Sequence, residues 1–295
     1  MNNIVGYIDV NNSVKNFNLM FKRIFCRVKF KELEYDKLKI LVDTQSLNEK
    51  RIKRIANKIK EIGINKIVLA ENCANKRGLF IKYGIDILDG KFIMKNMLKE
   101  ILVYMYKIRG TEIFNESLYI TTDNDTDFDI IIDTANLFKS LNIVTRKIKK
   151  LKRMDKKIES NTDIVCSITN NITKGLRRAK IIVNFNYDEK FFSEAKLNRN
   201  AIIINLSKEK LNLKSSFNGT IIENINIEYK QNLMEENEFK NFNKSLLLES
   251  KILGKSYSEI KKILNEADSK IIDLYGKNGK IFGEEIKNNL SWQMQ

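Results

Sequence analysis

The sequence predicts an α/β protein made of two parallel-sheet units and a C-terminal helical segment that returns across them. Three observations carry this. Nearly unbroken runs of Ile and Val, such as Ile181-Ile182-Val183 and Ile202-Ile203-Ile204, have the composition of parallel strands covered on both faces. Helical periodicities alternate with these runs over short loops, the pattern of right-handed strand–helix–strand units. Glycines stand where helices should end, at Gly63 and Gly84.

In chain order, strands are expected at Ile4–Val10, near Ile24–Phe30 and at Leu38–Val42. Ser46–Ile62 follows as a helix, because Ile52, Ile55, Ala56, Ile59 and Ile62 recur at helical spacing. Ser46 and Glu49 form a capping-box pattern at its start. A strand at Lys66–Ala70, a helix around Ala74–Tyr83 and a strand at Ile85–Leu88 complete the first unit. Phe92–Ile108 reads as one helix apolar on a broad face through Met94, Met97, Leu98, Ile101, Leu102 and Met105, with the methionines as core filler.

The second unit is expected to hold strands Ser117–Thr122, Asn142–Thr145, Asp163–Ile168, Lys180–Asn184 and Ala201–Leu206. Between them lie helices Asp127–Leu141 and Ile148–Glu159 and shorter pieces near Thr173–Arg178 and Asp188–Ala195. Beyond it come a strand at Thr220–Ile227, helices at Glu235–Leu253 and Ser258–Leu264, and a hairpin turning at Asn278-Gly279. The resulting division is 1–110, 111–210 and 211–295.

Composition excludes several chemistries. With no histidine in 295 residues, Ser-His, Cys-His and His-base mechanisms are out. Cys26, Cys73 and Cys166 are far apart, odd in number and form no CxxC pair, so neither a disulfide framework nor a zinc or other metal site is expected. No apolar run reaches the roughly 20 residues a membrane helix needs, and the N-terminus lacks a signal-peptide pattern, so a cytoplasmic location without a membrane partner is expected. The net charge of +16 suits a nucleic-acid partner, but richness in Lys, Asn and Ile with no Pro also fits an AT-rich coding bias.

The most informative stretch is the turn after the strand Ser117–Thr122. In a dinucleotide-binding unit this turn carries glycines, which allow positive φ and close approach to a pyrophosphate. Here it reads Asp123-Asn124-Asp125-Thr126-Asp127-Phe128-Asp129. Phe128 and Thr134 occupy the Gly and Glu positions of a calcium loop, so that reading fails. Asp127 and Asp129 are expected to cap the following helix and complement its dipole.

The next strand ends at Arg146, where a basic residue accepts the 2′-phosphate of NADP. Between Arg146 and Lys157 stand eight basic residues and one acidic, a net of +7. The same stretch also reads as an ordinary helix, with Ile148, Leu151, Met154 and Ile158 buried and the lysines solvated. Arg146, Lys147, Thr121 and Thr122 are the candidate cofactor contacts. Cys73 is the candidate nucleophile, at a helix start beside Lys76 and Arg77, which lower a thiol pKa.

The strand ending in Arg146, the strand Asp163-Ile164-Val165, the run Ala179–Asn184 and the stretch Arg199-Asn200-Ala201-Ile202-Ile203-Ile204-Asn205 occur in an order that resembles the NADP-binding half of the shikimate dehydrogenase and glutamyl-tRNA reductase group. The resemblance covers about a third of the chain and implies a Rossmann-like unit. The group's glycine-rich turn is absent, and no position matches its catalytic Lys and Asp.

Three functions follow as expectations. The first is a non-catalytic binding or assembly protein on a degenerate Rossmann-like scaffold, without a cofactor and open to homo-oligomerisation. The second is an NADP-dependent oxidoreductase with an atypical phosphate loop. The third is nucleic-acid binding through the 146–157 face, against which stands the lack of aromatic residues among those lysines.

Overall fold

A computed structural model describes residues 5–10, 28–33, 37–42, 47–64, 66–162, 164–230 and 239–291. Contacts divide the chain into two units, Met1–Gly90 with Lys230–Ser256, and Lys91–Tyr229 with Tyr257–Gln295. This division differs from the boundaries at 110 and 210 drawn from the sequence. The apolar run at 92–108 belongs with the second unit, and part of the C-terminal region returns to the first.

The first unit is a five-stranded sheet. Its strands are β1 (Val5–Val10), β2 (Val28–Leu33), β3 (Lys37–Val42), β4 (Lys66–Leu69) and β5 (Asp86–Ile87), in the order β2-β3-β1-β4-β5. All neighbours are parallel except β2, which runs antiparallel along β3 as the edge. Alternation along the strands sends successive side chains to opposite faces. Ile8, Ile67 and Leu69 pack with Ile52, Ile55 and Ile59 of helix α1 (Glu49–Glu61) and with Phe80 of helix α2 (Arg77–Lys82). Tyr7 and Val68 pack instead with Phe239, Phe242 and Leu247. Asn48 caps α1 by accepting from Arg51 N at 3.0 Å; Ser46, like residues 24–27, lies outside the described residues.

The second unit begins with two helices where the sequence suggested one, α3 (Lys91–Asn96) and α4 (Leu98–Arg109), interrupted at Met97. Its sheet has six strands: β6 (Ser117–Thr121), β7 (Ser140–Val144), β8 (Val165–Thr169), β9 (Ile181–Asn184), β10 (Ile202–Asn205) and β11 (Thr220–Ile222). Every pairing is parallel, in the order β11-β10-β9-β6-β7-β8. Counted within this unit from the β8 edge, that is 3-2-1-4-5-6, the Rossmann dinucleotide-fold order, with the connectivity reversing between β6 and β9.

Four helices link these strands: α5 (Phe128–Ala135), α6 (Ile148–Asn161), α7 (Ile172–Gly175) and α8 (Glu189–Glu194). The sequence extended α5 to Leu141, but the chain leaves the helix after Ala135 and pairs as β7 from Ser140. Phe138 and Leu141 are buried, and their spacing of three fits a helix face, which is why the run reads as helix from sequence alone. The expected strand at 220–227 is two, β11 and β12 (Asn224–Glu228); β12 forms an antiparallel sheet with β13 (Lys270–Gly276) and β14 (Gly279–Ile281), whose hairpin closes at Lys277-Asn278. Helix α9 (Lys244–Ile252) belongs to the first unit, and α10 (Tyr257–Glu266) and α11 (Gly283–Ser291) to the second.

Candidate functional site

In open parallel sheets, ligands bind beyond the carboxyl ends of the strands where the connectivity reverses. In the second unit that point lies between β6 and β9. Parallel register sets Thr121 beside Asn184 and Asn184 beside Asn205, so their side chains meet in a row. Thr121 Oγ1 donates to Asn184 Oδ1 at 2.9 Å, and Asn184 Nδ2 donates to Asn205 Oδ1 at 2.9 Å. Asn184 also donates to Tyr187 O at 2.8 Å and accepts from Tyr187 N at 3.0 Å. Asn205 Nδ2 donates to Glu209 O at 2.9 Å. All three side chains are wholly buried. Both donors of Asn184 are used and its oxygen accepts twice, so Asn184 has no spare contact to offer a ligand, and the one donor of Thr121 is spent on it.

Above this row the crevice is crossed by the chain's own side chains. The Tyr187 hydroxyl donates to the Asp123 carboxylate and accepts from Arg146 N. Thr145 Oγ1 donates to the same Asp123 oxygen at 3.0 Å, and Asp123 N donates to Asn186 Oδ1 at 3.2 Å. Burial, reinforced by the Asp123 bond, pushes the Tyr187 phenol up to about 12. The Tyr187 ring stacks on Phe191 with centroids 3.7 Å apart, and the Arg146 guanidinium lies 5.6 Å from the centre of the Phe191 ring. Arg146 also pairs with Glu194 at 2.8 Å, both side chains being more than a third exposed.

Three of the four carboxylates of the acidic turn face a lysine. Asp123 faces Lys147 at 3.7 Å, Asp125 faces Lys150 at 3.5 Å, and Asp127 pairs with Lys95 at 3.0 Å. Asp127 sits at the N-cap of α5, yet its side chain makes no capping bond there. The expectation that it caps the helix is therefore corrected: the carboxylate turns to Lys95. Asp129 stands exposed in the first turn of α5, placed to complement the dipole. Asp133, further along, accepts from Lys99 at 2.9 Å and from the Tyr257 hydroxyl at 2.8 Å.

These placements test the candidate residues. Thr122 is buried, its hydroxyl bonded within the turn to Asn124 N at 3.1 Å. Arg146 and Lys147 stand toward solvent just beyond the end of β7. The turn does not fit a pyrophosphate as it stands, since it has no glycine and Asp123 and Tyr187 fill the approach. Arg146, Lys147 and Lys150 of the basic stretch are each drawn to a carboxylate. Cys73 is fully buried among Ile8, Ile67 and Phe80, and its Sγ donates to Asn72 Oδ1 at 3.1 Å. A thiol in that position is closed to a substrate, which corrects the nucleophile reading. Among the described residues no group of three metal-ligating side chains forms, and no helix is long and apolar enough to cross a membrane.

Sequence reasoning missed Tyr187 and Asn205. The signal for Asn205 was present in the equal spacing of Asn184 and Asn205 from the starts of two apolar strands, but only register makes those two neighbours, and Tyr187 had no such signal.

No family model matches the sequence, and no curated protein matches it. Among solved structures, the A chain of dipicolinate synthase from Bacillus subtilis aligns at 12% identity over 78% of this chain and 71% of that chain, with a TM-score of 0.38. A shikimate dehydrogenase in complex with NADP+ aligns at 13% identity over 97% of this chain and 93% of that chain, with a TM-score of 0.36. Quinate dehydrogenase from Corynebacterium glutamicum, in complex with NAD, aligns at 8% identity over 89% and 98% of the two chains, with a TM-score of 0.34. The strand order and the crevice geometry stand independently of these likenesses.

Proposed function

We infer that the six-stranded unit is the nucleotide-binding domain of an NADP-linked oxidoreductase, in which Arg146 receives the 2′-phosphate. One observation carries this reading: the 3-2-1-4-5-6 order puts Arg146 at the end of the second strand, beside the point where the connectivity reverses. Its side chain is more than a third exposed, and an exposed pair such as Arg146–Glu194 is worth only about 0–1 kcal/mol, so a phosphate can displace Glu194. Lys147 adds a second cation on the same side. The cofactor would supply the hydride; the chain's part is to hold the adenosine end on Arg146 and Lys147 while the Asp123 turn opens for the rest.

A second reading, a non-catalytic binding or assembly protein on the same scaffold, is favoured by the Tyr187–Asp123 contact that crosses the crevice. One titration separates the two. NADPH should bind saturably, at least tenfold tighter than NADH, and the preference should vanish in Arg146→Ala. Absence of binding by both nucleotides, at low and moderate salt alike, would leave the second reading standing and overturn the first.

A further inference from the structure

The geometry points to a second ligand site on the six-stranded unit, a cleft that takes a small organic anion with a flat apolar body. The cleft has a volume of about 330 Å³ and is formed by α8 and by the segments that precede β10 and β11. It therefore lies toward the amino ends of those strands, away from Asn184 and Asn205. Its apolar wall is Phe192, Leu197, Leu213 and Phe217, of which Phe192 is fully buried and the others are partly buried against the same core. Lys196, Arg199 and Lys214 stand around it, all exposed, and none has an ion-pair partner among the described residues. Glu189 lines the cleft without pairing with any of them, which leaves an excess of two positive charges.

The main chain that carries these cations is held before any ligand arrives. Lys196 N donates to Thr173 O at 3.1 Å, Asn218 N donates to Arg199 O at 2.8 Å, and Phe217 N donates to Lys214 O at 2.9 Å. Gly219 lets the chain close on the cleft: a Cβ there would stand 2.0 Å from Ala201 O and 2.5 Å from Phe217 Cζ. Cations whose backbone is already fixed, set beside an aromatic wall, lower the ordering cost of binding an aryl carboxylate, sulfonate or phosphate. A cleft of this size is at the small end of ligand pockets and suits a single ring system rather than a dinucleotide.

The test uses the full chain and 1-anilinonaphthalene-8-sulfonate as the probe, read by its fluorescence, with N-phenyl-1-naphthylamine as the uncharged analogue. The sulfonate should bind at one saturable site, at least tenfold tighter than the uncharged amine. The double variant Arg199→Ala/Lys214→Ala should weaken the sulfonate at least tenfold, about 1.4 kcal/mol, with its thermal melting unchanged because both side chains are exposed. Leu213→Lys, a second variant, should block the site while Arg146→Ala leaves it intact. Equal affinity for sulfonate and amine, or undiminished binding in the double variant, would overturn the proposal. Displacement of the sulfonate by NADPH would overturn the cleft as a site separate from the Arg146 crevice.

Discussion

The phenol of Tyr187, which follows the fourth strand of the six-stranded sheet, donates to the carboxylate of Asp123, which follows the first. These strands are neighbours at the place where the connectivity reverses, so this hydrogen bond, with the one from Asp123 N to Asn186 Oδ1, spans the crevice in which such a fold holds its ligand. Tyr187→Phe removes this bond and the one the hydroxyl accepts from Arg146 N, which keeps Asp123 Oδ1 at 3.2 Å, and leaves the ring on Phe191. A hydrogen bond to a charged group contributes about 1.5–3 kcal/mol, and Asp123 keeps Thr145 and Lys147 as partners. A loss near the lower end, about 2–6 °C in melting temperature, is expected. The same variant should bind NADPH at least threefold more tightly, because opening the turn no longer breaks that bond. Unchanged affinity in a folded Tyr187→Phe protein would show that the contact does not oppose the ligand.

The buried row Thr121–Asn184–Asn205 makes a prediction about order rather than size. Asn184 is its centre, with four bonds, whereas Thr121 makes one of them. Asn184→Ala leaves Tyr187 N, Tyr187 O and the Thr121 hydroxyl without their partner and takes a donor from Asn205 Oδ1, and each unsatisfied buried group costs about 1–3 kcal/mol. Thr121→Val leaves Asn184 Oδ1 still accepting from Tyr187 N, so it should cost about 1 kcal/mol. Thermal melting of the two variants checks this, and a larger loss from Thr121→Val would refute the row as a coupled unit.

How far the sequence carries can be judged from particular residues. The strands β9 and β10 were legible because Ile181–Val183 and Ile202–Ile204 are buried on both faces and leave no other reading. The turn at Asp123–Asp129 was located but misread in part, because a carboxylate before a helix has the same sequence signature whether it caps the helix or pairs with a distant lysine. Lys95 lies 32 residues from Asp127, and nothing local announces it. The discontinuous first unit was hidden for a related reason. Phe239 and Phe242 show helical apolar spacing whatever they pack on, and only tertiary contact puts them against Tyr7.

If Asp127 acts through Lys95, removing either partner should cost the same interaction. Lys95→Met and Asp127→Asn should each destabilise the second unit, and the double variant should fall short of their sum by about 1 kcal/mol, since the pair is partly buried. A capping role would give additive losses, as a cap does not depend on Lys95.

Two carboxylates set the expected acid limit of the six-stranded unit. Burial pushes Glu116 upward, but hydrogen bonds and charge from Lys180 and Arg109 outweigh it and hold the carboxyl below its ordinary value of 4.5. Asp133 is likewise raised by burial and lowered further by Lys99, Tyr257 and Lys261, ending below 3.8. A carboxyl whose folded pKa is depressed binds fewer protons than the unfolded chain, so stability rises with pH through that window. The contribution is complete above about pH 5 and is lost as pH falls through the depressed values. Glu116→Gln and Asp133→Asn should therefore melt below the parent protein at pH 7, and the gap should shrink steadily between about pH 4.5 and pH 2.5. A gap of constant size across that range would mean that the charges on these two groups contribute nothing, and that the variants lose only packing.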